Sequence, residues 1–421
     1  MITDNKIQTF EDVISALKTR ADQPEGTSIG FSLHHNDPFT LYQSILTFPK
    51  AFFYSPKTKK TTIFLGHATQ ETGKSSIHYG GIAFPSGSKT DEWSAYGSQS
   101  WFVPVVRIIW DYDSAQVKAV TGPDLNKFIE TVTFEEPEEF DLLRPLAYVH
   151  SPKKSDWQVC VESAQEKIQN GEIAKVVLAR KTTLTFDDSI SVMNVLKKSF
   201  SDPINHYVFH LQLNPDDAWL SLSPELIFYR KQKHVTSDAL AGTRPRGATE
   251  EEDTAFQSRL ETSEKDIQEH RFVKDMILEK FQSLCVTPPK ESPLSVLKLK
   301  NVQHLHSSIS GILKEGLQDK DIISTLFPTP AVAGTPTNNS ISVLKDLEPF
   351  DRGWYAGALG VLSRDESECI VGIRSVRVQK NTLSFYAGAG IVEQSDWENE
   401  WEEINSKLNI FMSRISNVGI S

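Results

Sequence analysis

A run of small residues that passes directly into an acidic helix constrains this chain more than any other stretch. Ser384 to Lys407 reads Ser-Phe-Tyr-Ala-Gly-Ala-Gly-Ile-Val-Glu-Gln-Ser-Asp-Trp-Glu-Asn-Glu-Trp-Glu-Glu-Ile-Asn-Ser-Lys. Phe385 to Val392 has strand composition, and Gly388 and Gly390 leave its backbone open to close approach. Ser395, with Glu398 three residues on, has capping-box spacing and predicts a helix start. On that helix Trp401, Ile404, Leu408 and Phe411 form an apolar stripe. Glu400, Glu403 and Lys407 fall along its border, while Glu398 and Glu402 fall on the solvent side. Two carboxylates placed toward the buried side require a partner.

The chain has 421 residues, 39% of them hydrophobic, enough for one large domain or several ordinary ones. Its formal charge of −11, with no basic run, argues against nucleic acid as a partner. Cys160, Cys285 and Cys369 are odd in number and far apart, which fits a reducing compartment better than a disulfide framework or a zinc site. The polar start, Met1 to Glu11, does not have the pattern of a signal peptide, and no apolar run approaches the roughly 20 residues of a membrane span. These features predict a cytoplasmic location.

Along the first 150 residues the pattern is of strands and turns. Ala51 to Tyr54 and Thr61 to Gly66 predict a hairpin, Gly80 to Phe84 a strand, and Trp101 to Trp110 one long apolar strand. The acidic stretch Thr133 to Glu139 is the most linker-like, which fits a boundary near residue 150 or, equally, a connection within one large domain. Beyond it come a helix from Asp156 to Asn170, strands at Ile173 to Phe186, Tyr207 to Leu213, Trp219 to Leu222 and Leu226 to Lys231, and a helix near Ile190 to Ser199. A loop containing Ala241 to Gly247 precedes a helix from Lys265 to Leu284, and further strands follow at Ala356 to Ser363, Glu368 to Gln379 and Thr382 to Val392. With no regular βαβ alternation, this is a large α+β fold of mainly antiparallel sheet with helices packed outside.

A second acidic pair, Asp266 and Glu269, begins the helix that carries Val273, Met276 and Ile277, and shares their side of it. Each acidic pair alone is also what a surface helix shows, since the helix dipole favours acids in a first turn. Two such pairs in one chain point to a cation, and an all-oxygen donor set suits magnesium. Lys175 shares strand parity with Ile173, Val177 and Ala179, so it either snorkels outward or sits in a site that lowers its basicity. Glu225 follows Pro224 at a strand junction, as a turn residue or a positioned acid. His304 alternates with apolar residues, as core histidines do. Arg374 interrupts an apolar strand, a place for a bidentate carboxylate contact or an internal ion pair.

From Asp156 to Leu408 the chain resembles the chorismate-utilising enzymes of menaquinone, siderophore and tryptophan synthesis. The resemblance rests on Lys175-Val-Val-Leu-Ala-Arg180, Ser223-Pro-Glu-Leu226, Leu240-Ala-Gly-Thr-Arg-Pro-Arg-Gly247, Glu269-His270 and His304-Leu305. It continues through Phe327-Pro-Thr-Pro-Ala-Val-Ala-Gly-Thr-Pro336, Phe350-Asp-Arg-Gly-Trp-Tyr-Ala-Gly357 and Tyr386-Ala-Gly-Ala-Gly-Ile-Val392. It implies one fold of stacked antiparallel sheets, with residues 1–150 a variable N-terminal part and 151–415 the chorismate-binding catalytic region. Members that add ammonia generally carry glutamine where this chain has Lys175; those that add water carry lysine. The resemblance therefore points to the isochorismate-synthase members, isomerases that need no glutamine amidotransferase subunit, acting as monomer or homodimer.

The implied mechanism depends on Mg²⁺. Lys175 deprotonates water for attack at C2 of chorismate, and Glu225 protonates the departing C4 hydroxyl. Glu269 and Glu403 are the implied direct metal ligands, with Asp266 and Glu400 further ligands or reached through water. Thr243, Arg374, Gly388, Lys407 and Ala331 are implied substrate contacts, and His304 is placed beside the reacting ring. Ser221, Asp266, Phe327 and Trp354 depart from residues common in relatives. The nearest alternative is salicylate synthase, which uses the same lysine and then eliminates pyruvate.

Overall fold

A computed structural model describes residues 10–19, 26–32, 38–69, 77–87, 89–114, 116–133, 144–199, 206–298 and 302–415. The elements begin with α1 (Phe10–Lys18), β1 (Ser28–Ser32), α2 (Pro38–Ser44), β2 (Lys50–Ser55), β3 (Lys60–Leu65), β4 (His78–Ile82) and β5 (Gln99–Phe102). Next are β6 (Val106–Asp111), β7 (Gln116–Thr121), α3 (Leu125–Thr131), β8 (Ala147–Ser151), α4 (Lys154–Gln169), β9 (Lys175–Thr185), α5 (Val192–Ser199), β10 (Tyr207–Asn214) and β11 (Asp217–Ser223). Then come β12 (Leu226–Lys231), β13 (His234–Pro245), α6 (Glu250–Thr262), α7 (Glu264–Leu284), β14 (Lys290–Glu291), β15 (Ser295–Lys298) and β16 (Val302–Ile312). The chain closes with α8 (Asp319–Leu326), β17 (Gly334–Thr335), α9 (Thr337–Leu347), β18 (Ala358–Leu362), β19 (Glu366–Val371), β20 (Ser375–Gln379), β21 (Thr382–Ile391) and α10 (Trp397–Ile415).

These strands form two antiparallel sheets. The larger runs β1-β7-β6-β3-β2-β10-β11-β20-β21-β9-β17, with β8 also against β9; the smaller runs β14-β16-β13-β12-β19-β18-β4-β5, with β15 also against β16. Their inner faces pack together: Phe64 of β3 stacks on Tyr79 of β4 at 4.9 Å between ring centroids. Trp219 and Trp354 are fully buried there. Helices cover the outside, α10 lying on β21, α4 and α5, and α7 on β13 and β16. The fold is the expected α+β architecture of antiparallel sheets. Among the described residues no helix is long and apolar enough to cross a membrane.

Four expectations need correction, and two share a cause. Trp101 to Trp110 is two strands in different sheets, because Pro104 supplies no amide hydrogen to a ladder and the chain crosses there. Glu368 to Gln379 likewise divides into β19 and β20, in different sheets, at a crossing where Arg374 adopts φ +48°. Ala241 to Pro245 is the end of β13 and not a loop. Its pairing with β16 shifts register between Ala241 and Thr243, the mark of a bulge at Gly242, which takes φ +70°. The fourth is the start of α10: Asp396, whose carboxylate accepts the Asn399 amide at 2.9 Å, caps it in place of Ser395. The local pattern also left out α6, which lies between the end of β13 and α7. Residues 134–139 of the acidic stretch and the Phe411 side chain lie outside the described residues.

Two crossings between the sheets lie side by side. The chain leaves β11 for β12 through Pro224-Glu225, and returns from β19 to β20 through Gly372-Ile373-Arg374. Val371 N–H donates to Glu225 O at 3.1 Å, Leu222 N–H to Arg374 O at 3.0 Å, and Ser221 Oγ to Ile373 O at 2.8 Å. Glu225 and Arg374 are therefore fixed to each other by backbone.

Candidate active site

Lys175 opens β9, which pairs with β21 so that Val177 faces Gly390 and Ala179 faces Gly388. Its side chain is 28% exposed, and Nζ donates to Glu269 Oε1 of α7 at 3.3 Å. A Cβ at position 390 would lie 2.8 Å from Lys175 Cε. The missing side chain at Gly390 is what lets the lysine stem lie across the neighbouring strand.

Gly388 is served differently. Its carbonyl accepts from Lys407 Nζ at 2.8 Å, and the same ammonium pairs with Glu403 one turn earlier on α10, at 2.6 Å. The Ala179 amide opposite donates to Glu348 Oε1 at 2.8 Å, so that carboxylate occupies a backbone donor of β9. Glu400 accepts from Ser395 Oγ at 2.9 Å. Its carboxyl titrates above the ordinary range, first because it is partly buried and then because the Glu403 charge is close.

Glu225, at the crossing, accepts a 3.0 Å hydrogen bond from Thr329 Oγ1. Beside it is a cavity of about 20 Å³ lined by Leu226, Met276, Ile277 and Leu326 among others. Burial in these surroundings pushes its carboxyl from the ordinary 4.5 up to about 7, against the opposing pull of the Thr329 hydrogen bond. At the far end of β13, the bulge at Gly242 turns Thr243 so that its hydroxyl lies 2.9 Å from His304 Nδ1. Burial, and then the nearby charges of Arg374 and Lys407, lower His304 to about 3, so it is a neutral imidazole. Thr243 and His304 are thus one hydrogen-bonded pair and Lys407 and Gly388 another, with the charges of Arg374 and Lys407 felt at His304.

The acids expected to face the core do so unevenly. Asp266 is buried, but Arg244 engages both its oxygens. The Glu269 and Glu403 side chains are 42% and 51% exposed. They border the site instead of the core, which is why lysines can reach them. Among the described residues no three His, Cys, Asp or Glu side chains converge as a metal cluster. The chemistry of Glu269, Glu400 and Glu403 nevertheless fits a hard cation: all donors are carboxylate oxygens, and the mutual repulsion of Glu400 and Glu403 is what a divalent ion relieves. Asp266, held by Arg244, does not fit that set.

Two motifs of the chain have roles that only the fold shows. In Phe350 to Gly357, buried Arg352 donates to Glu348, to Val332 O at 2.7 Å and to Val177 O at 2.5 Å. Tyr355 stacks on Tyr386 at 5.4 Å, and its Oη is 2.9 Å from where a Cβ on Gly388 would stand. Trp354 is a core residue whose indole donates to Gly97 O at 3.3 Å. In Phe327 to Pro336, Thr329 reaches Glu225, and Ala331 is half-buried in the turn that follows.

The chain is similar to known proteins over most of its length. Residues 57–416 match the family model described as chorismate binding enzyme. Isochorismate synthase MenF of Bacillus subtilis is 32% identical over 373 residues, covering 85% of this chain and 79% of that protein. Isochorismate synthase 2, chloroplastic, of Arabidopsis thaliana is 34% identical over 353 residues, 79% of this chain; the match spans 63% of the plant protein. The solved structure of MenF, the menaquinone-specific isochorismate synthase from Escherichia coli, superposes with a TM-score of 0.86 at 26% identity. It covers 97% of this chain and 100% of that one. The chain belongs to the chorismate-binding enzyme family.

Proposed function

We propose that this chain is an isochorismate synthase, converting chorismate to isochorismate, with residues 151–415 carrying the chemistry. The observation behind this reading is a pair of groups in opposite surroundings: an amine with access to solvent at Lys175, and a buried carboxylic acid at Glu225 that keeps its proton up to about pH 7. Lys175 Nζ takes a proton from water as the water oxygen bonds to C2. The ring double bonds shift, the C4–O bond breaks, and the departing hydroxyl takes the Glu225 proton to leave as water. Protons and atoms balance, and the ring exchanges one hydroxyl position for another.

For the first step the lysine must be neutral. Glu269 accepts from Lys175 Nζ, so the lysine is released toward water once Glu269 is engaged elsewhere. We assign Glu269, Glu400 and Glu403 as the oxygen donors for Mg²⁺, which when bound supplies positive charge for the ring carboxylate. Asp266, through Arg244, holds the first turn of α7 and the end of β13 in place. Arg374 is assigned to the enolpyruvyl carboxylate, with Thr243, Gly388, Lys407 and Ala331 as further substrate contacts and neutral His304 against the ring. In this reading ammonia is not used and no amidotransferase subunit is needed.

The test is direct. Purified protein with chorismate and Mg²⁺ should accumulate isochorismate without stoichiometric pyruvate. Salicylate and pyruvate in equal amounts, or an ammonia-dependent fluorescent product, would overturn the assignment.

A further inference from the structure

We infer that Thr329 is a positioning residue for Glu225: its hydroxyl, donating to Oε1, keeps the transferable proton on Oε2 and stabilises the carboxylate that remains after transfer. This rests on the proposed role of Glu225 as general acid. An ionised carboxylate only accepts hydrogen bonds, so the 3.0 Å contact with anionic Glu225 has the threonine as donor. Keeping that bond in the acid form leaves Oε1 as the acceptor and Oε2 as the oxygen that carries hydrogen. Ser223 fixes the backbone of the acid, its Oγ accepting the Glu225 amide at 3.1 Å.

The hydroxyl is itself held. Thr329 stands between Pro328 and Pro330, which restricts its backbone. Its carbonyl accepts from the Val332 and Ala333 amides at 3.1 and 3.0 Å, closing the turn. Ala333 O accepts the Val177 amide at 3.1 Å, and Arg352 grips both Val332 O and Val177 O. Val177 lies two residues beyond Lys175. One buried guanidinium therefore ties the turn that carries the hydroxyl to the strand that carries the base.

Among the described residues few other ionisable groups lie near Glu225. Lys280 of α7 lines the same cavity, with Nζ 3.4 Å from Leu326 O. Asp238 of β13 borders it and lies 3.3 Å from His306, and Arg374 occupies the adjoining crossing. None of the three is altered by a change at position 329.

Thr329→Val removes the donor and keeps the shape. We expect kcat to fall about tenfold, KM for chorismate to stay within about twofold, and the alkaline limb of the kcat profile to move to higher pH. Loss of the donor makes Glu225 a weaker acid, which accounts for both the slower transfer and the later limb. Thr329→Ser should restore rate and limb. Carboxyl-region difference infrared spectroscopy, wild type against Glu225→Gln, reads the Glu225 midpoint without turnover; in Thr329→Val it should rise. A merely structural role would lower stability and leave the midpoint in place. Should the valine variant not fold, Thr329→Ala is read in the same way. Normal kcat with an unmoved limb and midpoint overturns the inference. If wild type forms no isochorismate, it is the proposed function that falls, and the infrared midpoint still decides whether Thr329 sets the acidity of Glu225.

Discussion

Lys175 Nζ and Glu269 Oε1 are 3.3 Å apart, joining the first residue of β9 to the second turn of α7 across 94 positions of sequence. The base proposed for the reaction and a carboxylate proposed for the metal are thus already in contact.

Lys175→Ala removes the base and leaves the proposed chorismate contacts at Thr243, Arg374 and Lys407. Turnover should drop by at least about 100-fold, the lower end for a positioned base. Equilibrium binding of chorismate should remain measurable by calorimetry. Near-normal turnover would remove Lys175 from its role.

Glu225 gives a pH signature. A general acid must carry its proton, and here the proton is held up to about pH 7, so kcat should fall as pH rises through that value. Stability follows the same group. Between the ordinary 4.5 and about 7 the unfolded chain has released this proton and the folded chain has not, so Glu225 makes folding less favourable as pH rises. Glu225→Gln should abolish most turnover and flatten that part of the denaturation profile. A wild-type profile without an alkaline limb near 7 contradicts the burial argument.

Glu403→Gln should raise the Mg²⁺ concentration needed for half-maximal activity, by about tenfold or more for a lost charged ligand. Direct Mg²⁺ titration of the protein without substrate should show the same weakening. An unchanged metal dependence would break the ligand assignment.

Gly390→Ala tests the close approach. The added methyl carbon would stand 2.8 Å from Lys175 Cε, so the lysine must move aside. Since the obstacle is the far end of a flexible side chain, the melting temperature should change little while kcat falls. Equal losses in Tm and kcat would mean that the backbone, and not the lysine, yields.

Arg352→Met leaves Glu348 buried without its counter-charge. Breaking a buried pair in this way costs about 3–5 kcal/mol, measurable by denaturant titration. A loss below about 1 kcal/mol, the range of exposed pairs, would show that water reaches the site.

How far the sequence could be read depended on whether a feature was local. The β2–β3 hairpin, the end of α4 near Asn170 and the burial of Trp401, Ile404 and Leu408 on α10 all follow from residues near one another, and each is where the pattern placed it. The crossings were illegible because an apolar run looks the same whether it stays in one sheet or passes between two. Trp101 to Trp110 and Glu368 to Gln379 failed for that reason. At the site, helical spacing singled out Asp266 and Glu269 as a pair but could not say that Arg244, from β13, would claim the first and Lys175, from β9, the second. Thr329 stood inside a quoted motif, yet its role appears only when a chain segment 104 positions away brings Glu225 against it.

The order of strands in the two sheets carries one more consequence. Within the larger sheet β10 lies between β2 and β11, and within the smaller one β18 lies between β19 and β4. Residues 1–150 thus supply the flanking partner of β10 and, through β8, a partner of β9 in the larger sheet, and the flanking partner of β18 in the smaller. A chain beginning at residue 151 would keep every residue assigned to the reaction and still present rows of unpaired amides and carbonyls along β10 and β18, and along the end of β9 that β8 covers. Uncovered edges of that kind pair with other copies, so such a fragment should aggregate.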